Sequence, residues 1–254
     1  MTTASTKTTI LITGTNRGIG KGFVETLLTR PDHIIIAAVR DLGTSPSLAQ
    51  IPVAKGSRLV IVKIDATIES DAANAVKELL NNEQAIDHLD VVIANAGFCN
   101  KWPFIADLKI DDMLDCLRPN VFGLVWLYQA TRDLLNKSAN PKWVTIGSTG
   151  GSIEASSCRG QLAAPSAAYG PSKAAAHWIT KRINTEEEKI TSFVLHPGWV
   201  ATDMGNLGAR LSGLEQAPLS IQGSVDGMLR IVDSATKETR GATFTEYNGQ
   251  PYPW

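Results

Sequence analysis

Two groups of residues in this sequence have types and spacings that could do chemistry. The first is the run Thr13-Gly14-Thr15-Asn16-Arg17-Gly18-Ile19-Gly20. Gly14 permits a tight turn, Gly18 lets backbone approach a pyrophosphate, and Gly20 allows a helix and a strand to pack closely. A helix opening near Gly18 would offer unpaired N–H groups and a partial positive charge to phosphates. A plain turn uses the same residue types. What points to phosphate binding is the place of the triplet, between a short apolar run and an amphipathic segment.

The type of dinucleotide follows from charge. In NAD-binding sheets an acidic residue at the end of the second strand accepts from the ribose 2′-hydroxyl. Here the second apolar run ends in Arg40, and Asp41 comes only afterwards. Arg17 stands inside the glycine turn. Two guanidinium groups near the adenosine ribose suit a 2′-phosphate, through charge-assisted and often bidentate hydrogen bonds. NADP(H) is therefore the expected cofactor. Two solvated arginines, with Asp41 reaching the ribose, are the alternative at this stage.

The second group stands in chain order: Asn95-Ala96-Gly97, Asn120, Ser148, and Tyr169-Gly170-Pro171-Ser172-Lys173. On a helix, residues four apart share one face, so Tyr169 and Lys173 would project into the same site. Each feature also has a bland reading. The lysine could be exposed and stacked beside a ring, and Asn95-Ala96-Gly97 could be a strand-ending turn. Ser148 could cap a turn, and Asn120 could cap a helix beginning at Val121. Their joint weight comes from their order behind a glycine turn carried on a strand.

These residues need strands and helices in alternation to position them. Short runs rich in Val, Ile or Leu lie at Thr9–Thr13, Ile34–Val39, Leu59–Ile64, Leu89–Ala94, Trp143–Ile146 and Thr191–Leu195. None alternates cleanly between apolar and polar, which suits strands of a parallel sheet covered on both faces. Segments with helical spacing lie between them, among them Ile19–Leu28, Asp71–Leu80 and Val121–Leu135. The alternation predicts an α/β fold with a doubly wound, mostly parallel sheet. With no repeat and no dividing linker, a single domain over residues 9–254 is expected, after a flexible polar start at 1–8. Two Gly-, Pro- and Ser-rich pieces, Gly147–Pro165 and Gly205–Pro218, fall at strand ends, where ligands sit in such sheets. The loop read from Asp203 to Ser220 carries Leu207, Leu211 and Leu214 between glycines and would close over a sizeable apolar molecule.

On these residues the sequence resembles the short-chain dehydrogenase/reductase family, from Thr9 onward. The matching features are the turn at 13–20, Asp65 after the third strand, Asn95-Ala96-Gly97, Asn120, Ser148, Tyr169 with Lys173, and Pro197-Gly198 followed by Thr202. Within the family, Thr202–Gly205, Gly208–Leu211 and the ending Pro253-Trp254 are similar to fungal norsolorinic acid ketoreductase-like enzymes. The resemblance implies a Rossmann fold of about seven strands. It also implies an NADP-dependent oxidoreductase, acting as a ketoreductase on a carbonyl or alcohol substrate, apolar and belonging to secondary metabolism.

The family's roles carry over residue by residue. Tyr169 would be the general acid for the developing alkoxide, or the base in the oxidative direction. A free tyrosine has a pKa of about 10, and an ammonium nearby favours the phenolate, so Lys173 would lower that value by charge. Lys173 would also bind the nicotinamide ribose. Ser148 would hydrogen-bond the substrate oxygen, and Asn120 would hold a water linking Lys173 to solvent. Asp65 would accept from the adenine amino group, with Asn95, Ala96 and Gly97 under the adenine ribose. Gly14, Asn16, Arg17, Gly18, Ile19 and Gly20 would hold the pyrophosphate region, with Arg40 on the 2′-phosphate. Pro197, Gly198 and Val200 would edge the nicotinamide, and Thr202 would bond its carboxamide or the phosphates. One departure from the family's pattern stands out: 20 residues separate Ser148 from Tyr169. Ser152, Ser156 and Ser157 lie in that insertion and compete with Ser148 for its role.

Composition excludes several classes. The chain has 254 residues, 43% of them hydrophobic, and 24 Lys and Arg against 25 Asp and Glu. Near-neutral charge gives no reason to expect a nucleic-acid partner. No apolar run approaches the roughly 20 residues of a membrane helix, so no membrane association is expected. The three cysteines, Cys99, Cys116 and Cys158, cannot all pair within the chain. They fit a reducing compartment, and a cytoplasmic protein is expected. The four histidines and three cysteines lack metal-ligand spacing, so no metal is expected. His177 and His196 have no Asp or Cys partner pattern for a triad and read as structural. Trp102, Trp126 and Trp178 read as core or interface aromatics, and Glu186-Glu187-Glu188 as a solvated face. Trp199 either walls the pocket or packs. The family resemblance implies a homodimer or homotetramer, with the Val121 and Tyr169 helices at one interface. Three rivals share the scaffold: an imine reductase, a cofactor-templated cyclase and a non-catalytic NADP(H) sensor.

Overall fold

The computed structural model describes residues 7–44, 46–81, 86–156 and 165–254. Most of the polar start lies outside them. So do Ser157, Cys158 and the rest of 157–164, part of the Gly147–Pro165 piece. Seven strands are described: β1 Thr8–Thr13, β2 His33–Val39, β3 Arg58–Lys63, β4 Val91–Ala94, β5 Lys142–Ile146, β6 Thr191–His196 and β7 Phe244–Glu246. The helices are α1 Gly18–Leu28, α2 Glu69–Asn81, α3 Ile110–Leu117, α4 Gly123–Leu135, α5 Ile153–Ser156, α6 Tyr169–Glu186, α7 Asp203–Leu211, α8 Ile221–Ser234 and α9 Lys237–Arg240.

All pairings in the sheet are parallel, in the order β3-β2-β1-β4-β5-β6-β7. Side chains alternate across a strand, and here both faces are apolar. Ile35, Ala37 and Val39 of β2 face the core formed with α1 and α8, through Phe23, Leu27, Met228 and Val232. Ile36 and Ala38 face the opposite core with α2, α4 and α6, through Leu79, Leu127 and Ile183 and beside Trp143 of β5. Burial on both faces is why the runs look continuous rather than alternating. The strand order reverses between β1 and β4, and their carboxyl ends open the crevice where ligands bind in such sheets.

Three local readings change. β7 is three residues long, too short to be legible as a run. The helix expected from Val121 is the second half of a longer one. α3 continues into α4 through a five-residue π turn, Arg118–Phe122, so Asn120 lies inside a helical bulge and caps nothing. The loop expected from Asp203 is helical as far as Leu211, because Thr202 caps it by accepting from the Gly205 N–H at 3.1 Å. Of the tryptophans, Trp178 is 66% exposed. Trp126 is half-buried beside Phe122, with ring centroids 6.2 Å apart. Glu187 is not solvated. It is buried and accepts from Tyr128 Oη and Arg132 Nε, each at 2.5 Å, tying α4 to the end of α6.

Candidate active site

The glycine turn leaves β1 with Gly14 at φ +69° and Gly18 at φ +57°, a region that L side chains rarely adopt. A Cβ on Gly20 would lie 2.2 Å from the Gly14 carbonyl oxygen, so α1 packs flush on the turn only with glycine there. Asn95, at the end of β4, braces the same turn: its Nδ2 donates to Thr13 O at 2.8 Å. Thr13 Oγ1 accepts from the amides of Asn95 and Ala96. Asn95 and Ala96 thus hold the crevice open at its switch point.

From this turn a cleft of about 950 Å³ runs along the carboxyl ends of the strands. Its lining contains Gly14, Asn16, Arg17, Gly18, Ile19, Gly20, Arg40, Asp65, Asn95, Ala96, Gly97, Ser148, Tyr169, Lys173, Pro197, Gly198, Val200 and Thr202. Asn120 lies behind it. The room suits a dinucleotide with space left for a substrate. The amino end of α1 has no side-chain cap, so its N–H groups face the cleft unpaired by a capping residue. Arg40 is exposed at the cleft edge, and Asp41 is turned toward its own loop, accepting from the Gly43 N–H at 2.9 Å. Asp65 accepts from Thr67 N–H and Oγ1 with one carboxylate oxygen. These features fit an adenine dinucleotide with a 2′-phosphate. Arg17 lines the cleft, and its Nη1 meets Asp203 Oδ2 at 2.7 Å, both side chains well exposed, so it also bridges the glycine turn and α7.

The other end of the cleft is set by β5 and α6. Lys173 is buried and donates through Nζ to the Ile146 carbonyl at 2.8 Å. Its Nζ lies 5.7 Å from the Tyr169 ring centroid. Burial pulls the Lys173 ammonium down to about 8. The Tyr169 phenol moves the other way. Burial raises it well above its ordinary value, against a smaller lowering from its hydrogen bond with Ser148. Burial outweighs that bond, the lowering expected from Lys173 is not among the causes of the shift, and the phenol stays protonated at neutral pH.

Ser148 opens a short turn after β5, its Oγ accepting from the Gly150 N–H at 3.1 Å. Of its competitors, Ser152 accepts from the Ala155 N–H and donates to Trp254 O, and Ser156 donates to Ile153 O. Neither lines the cleft, and Ser157 lies outside the described residues. Asn120 is buried, donates to Phe98 O at 3.0 Å and Ser172 Oγ at 2.9 Å, and accepts from the Phe98 N–H at 2.8 Å. A Cβ on Gly97 would lie 3.4 Å from Lys173 Nζ and 3.5 Å from Asn120 Oδ1, so glycine there keeps the space between them free.

The chain matches the short chain dehydrogenase family over residues 8–209. It belongs to that family. This dehydrogenase is 40% identical to a norsolorinic acid ketoreductase from Dothistroma septosporum, over 98% of the chain and 94% of that protein. It is 38% identical to a norsolorinic acid ketoreductase from Aspergillus parasiticus, over 98% and 92%. Its fold superposes on an NADPH-bound carbonyl reductase from chicken fatty liver with a TM-score of 0.83 and 26% identity, covering 98% of this chain and 99% of that one. A carbonyl reductase from Pseudomonas aeruginosa in complex with NADP aligns with a TM-score of 0.76 and 27% identity, over 98% and 100%.

Sequence reasoning missed part of the dehydrogenase's cleft. Trp102 is not simply core: its ring lies 5.4 Å from that of Tyr169, and both line the cleft with Phe98, Trp199 and Met204. Trp102, Leu108 and Met204 pack on a buried cluster of Cys99, Cys116, Ala168 and Tyr169. Nothing in the spacing of Trp102 marks it, since it comes from an irregular segment that only tertiary packing brings to α6. Among the described residues, no group of three or more His, Cys, Asp or Glu could hold a metal ion. No described helix is long and apolar enough to cross a membrane.

Proposed function

We propose that this chain is an NADP(H)-dependent ketoreductase that interconverts a ketone or aldehyde with its alcohol, on an apolar small molecule of secondary metabolism. The observation that carries the reading is one continuous cleft. Ser148, Tyr169 and Lys173 meet at one end, and the glycine turn with Arg17 and Arg40 stands at the other. The names of the fungal ketoreductases and of the NADPH- and NADP-bound carbonyl reductases point the same way.

When bound, the nicotinamide supplies or takes the hydride. Tyr169 donates the proton to the developing alkoxide, and its buried, raised phenol is in the donating state at neutral pH. Lys173, charged below about 8, stabilises the phenolate left behind and binds the ribose hydroxyls. Ser148 hydrogen-bonds the substrate oxygen and stabilises charge there. Asn120 keeps Lys173 linked to solvent through the space beside Gly97. Arg40 and Arg17 take the 2′-phosphate, and Asp65 the adenine. Asn16, Gly18, Ile19 and Gly20 take the pyrophosphate, with Pro197, Gly198, Val200 and Thr202 at the nicotinamide end. Phe98, Trp102, Trp199 and Met204 supply an apolar wall for the substrate.

The test is consumption of NADPH against a panel of ketones and quinones, with NADH as control. Turnover with a lower Michaelis constant for NADPH is expected. Equal constants sink the cofactor assignment, and tight NADPH binding without any turnover sinks the reductase. A cytoplasmic location and assembly into a homodimer or homotetramer through α4 and α6, where Phe122 just before α4 and Trp178 on α6 are exposed, belong to the same proposal. A monomer by mass in solution removes the assembly.

A further inference from the structure

His177 lies on α6 two turns beyond Tyr169, 2% exposed, and takes no part in the chemistry proposed above. Its Nε2 accepts a hydrogen bond from the backbone N–H of Ser148 at 3.3 Å. The neutral ring then carries its proton on Nδ1, which finds no hydrogen-bond partner among the described residues. A buried imidazole with one orphan nitrogen is a poor packing residue, since leaving the donor unmade costs free energy. What the ring does supply is an acceptor aimed at the backbone that carries Ser148.

The surroundings of His177 concern the same backbone. A Cβ on Gly147 would lie 2.4 Å from Val194 Cγ1 and 2.5 Å from His177 Nε2, so the exit of β5 runs flush between β6 and the imidazole. Gly147 N–H donates to Leu195 O at 2.8 Å, fixing the other side. Behind the imidazole stand Phe244, with ring centroids 4.5 Å apart, and Trp254, at 6.2 Å. The Trp254 ring also lies 4.4 Å from Lys181 Nζ. Its carbonyl oxygen accepts from Glu154 N–H at 2.8 Å and Ser152 Oγ at 3.2 Å, so the same residue holds the turn that follows Ser148.

We propose that His177 is a positioning residue that sets where Ser148 stands relative to Tyr169, with Phe244 and Trp254 as the wall that keeps the imidazole in place. This rests on the reading of Ser148 as the group that binds the substrate oxygen. Its location on α6, the helix that carries Tyr169 and Lys173, means that one rigid element aligns all three groups.

The test uses His177→Gln and His177→Met. These side chains have nearly the same length and shape, but only glutamine offers a strong acceptor where Nε2 stands. With saturating NADPH and a quinone that the wild-type protein reduces, phenanthrenequinone first, H177M should turn over roughly tenfold more slowly than H177Q. The Michaelis constant for NADPH should differ little between them, because the glycine turn is untouched. In a cycle with Ser148→Ala, the H177M loss should vanish, since it acts through that serine. Equal turnover of H177Q and H177M, or a full H177M loss on top of S148A, overturns the role of His177 and leaves Ser148 standing. Wild-type turnover by S148A overturns the reading of Ser148, and this inference with it. If H177M does not fold, nitrogen NMR of the wild-type ring decides. The Nδ1–H tautomer is expected, and the Nε2–H tautomer overturns the proposal.

Discussion

On one side of the cleft, β5 and α6 hold Ser148, Tyr169 and Lys173 from beneath with buried partners. Lys173 Nζ donates to Ile146 O, and Thr145 Oγ1 pairs with Thr180 Oγ1 at 2.6 Å. On the other side, Trp199 to Ser220 is held mostly by its own bonds. Trp199 Nε1 donates to Gly205 O at 3.0 Å, and Ala217 N–H to Asn206 Oδ1 at 3.0 Å. Leu211 and Leu214 are exposed there, and the segment meets the rest of the cleft through the exposed Arg17–Asp203 pair, Thr202 beside Gly18, and Met204 on the Tyr169 cluster. The difference is one of stability per residue: buried, multiply bonded elements open rarely, and exposed segments with few buried contacts open readily. Proton transfer needs fixed geometry, whereas admitting a large apolar substrate needs a wall that yields. On the proposed function, the two walls would divide these demands between them.

The contrast breaks first at Tyr169. Tyr169→Phe removes the hydroxyl and keeps the ring on Trp102, so stability should hold while kcat falls by roughly 10²–10⁴-fold. On the opposite wall, Trp199→Ala should leave kcat nearly unchanged and move only the Michaelis constant for the ketone. Comparable kcat losses in both would erase the distinction.

Arg40 sharpens it on the cofactor side. It stands just past the end of β2, and a charge-assisted bond to phosphate contributes about 1.5–3 kcal/mol. Arg40→Ala should therefore raise the Michaelis constant for NADPH about 10- to 100-fold and spare that for NADH. The fixed wall also has a pH signature. Lys173, lowered by burial to about 8, loses its charge as pH rises through that value. Reductive kcat/KM should be flat below pH 8 and decline above it, by at most about tenfold per unit. A plateau persisting well into the alkaline range would separate Lys173 from the rate.

How much of this was legible depended on whether the signal was local. The glycine turn and the six longer strands were readable because their residue types are forced by backbone geometry and by burial on both faces. β7 was not, having three residues and deriving its place from pairing with β6. The π turn around Asn120 was hidden because Pro119 and Asn120 also suit a helix start. Thr202 does cap α7, but the glycines that follow it read as loop. Trp102 was only partly legible for one reason: it meets Tyr169, a neighbour distant in sequence, and single-chain patterns carry no trace of that contact.

His177 also bears on stability. Burial, helped by the charge of Lys173 and by His196, lowers it to about 3. Its folded value is below the unfolded one of about 6.5, so its contribution is fully present above that pH. Stability is lost as pH falls, because the unfolded chain takes up a proton that the native ring refuses. By pH 5 the loss should reach about 2 kcal/mol, seen as a drop in Tm of several degrees that H177M flattens. His196, lowered by burial to about 4, works in the same direction. An unchanged Tm between pH 7 and 5 would contradict the buried neutral imidazole.

The smallest effect concerns the tie between the walls. Arg17 is claimed both by Asp203, at 2.7 Å, and by the proposed 2′-phosphate. An exposed ion pair contributes about 0–1 kcal/mol, so the competition is worth no more than about fivefold. If the phosphate draws Arg17 away from Asp203, then Asp203→Asn should lower the Michaelis constant for NADPH by up to that factor. The effect should be absent for NADH and should fade at high salt, where exposed charges are screened. If the pair instead serves to hold α7 against the glycine turn, the same variant should raise the constants for both cofactors. The sign of one modest change therefore tells whether Arg17 belongs to the fixed wall or to the yielding one.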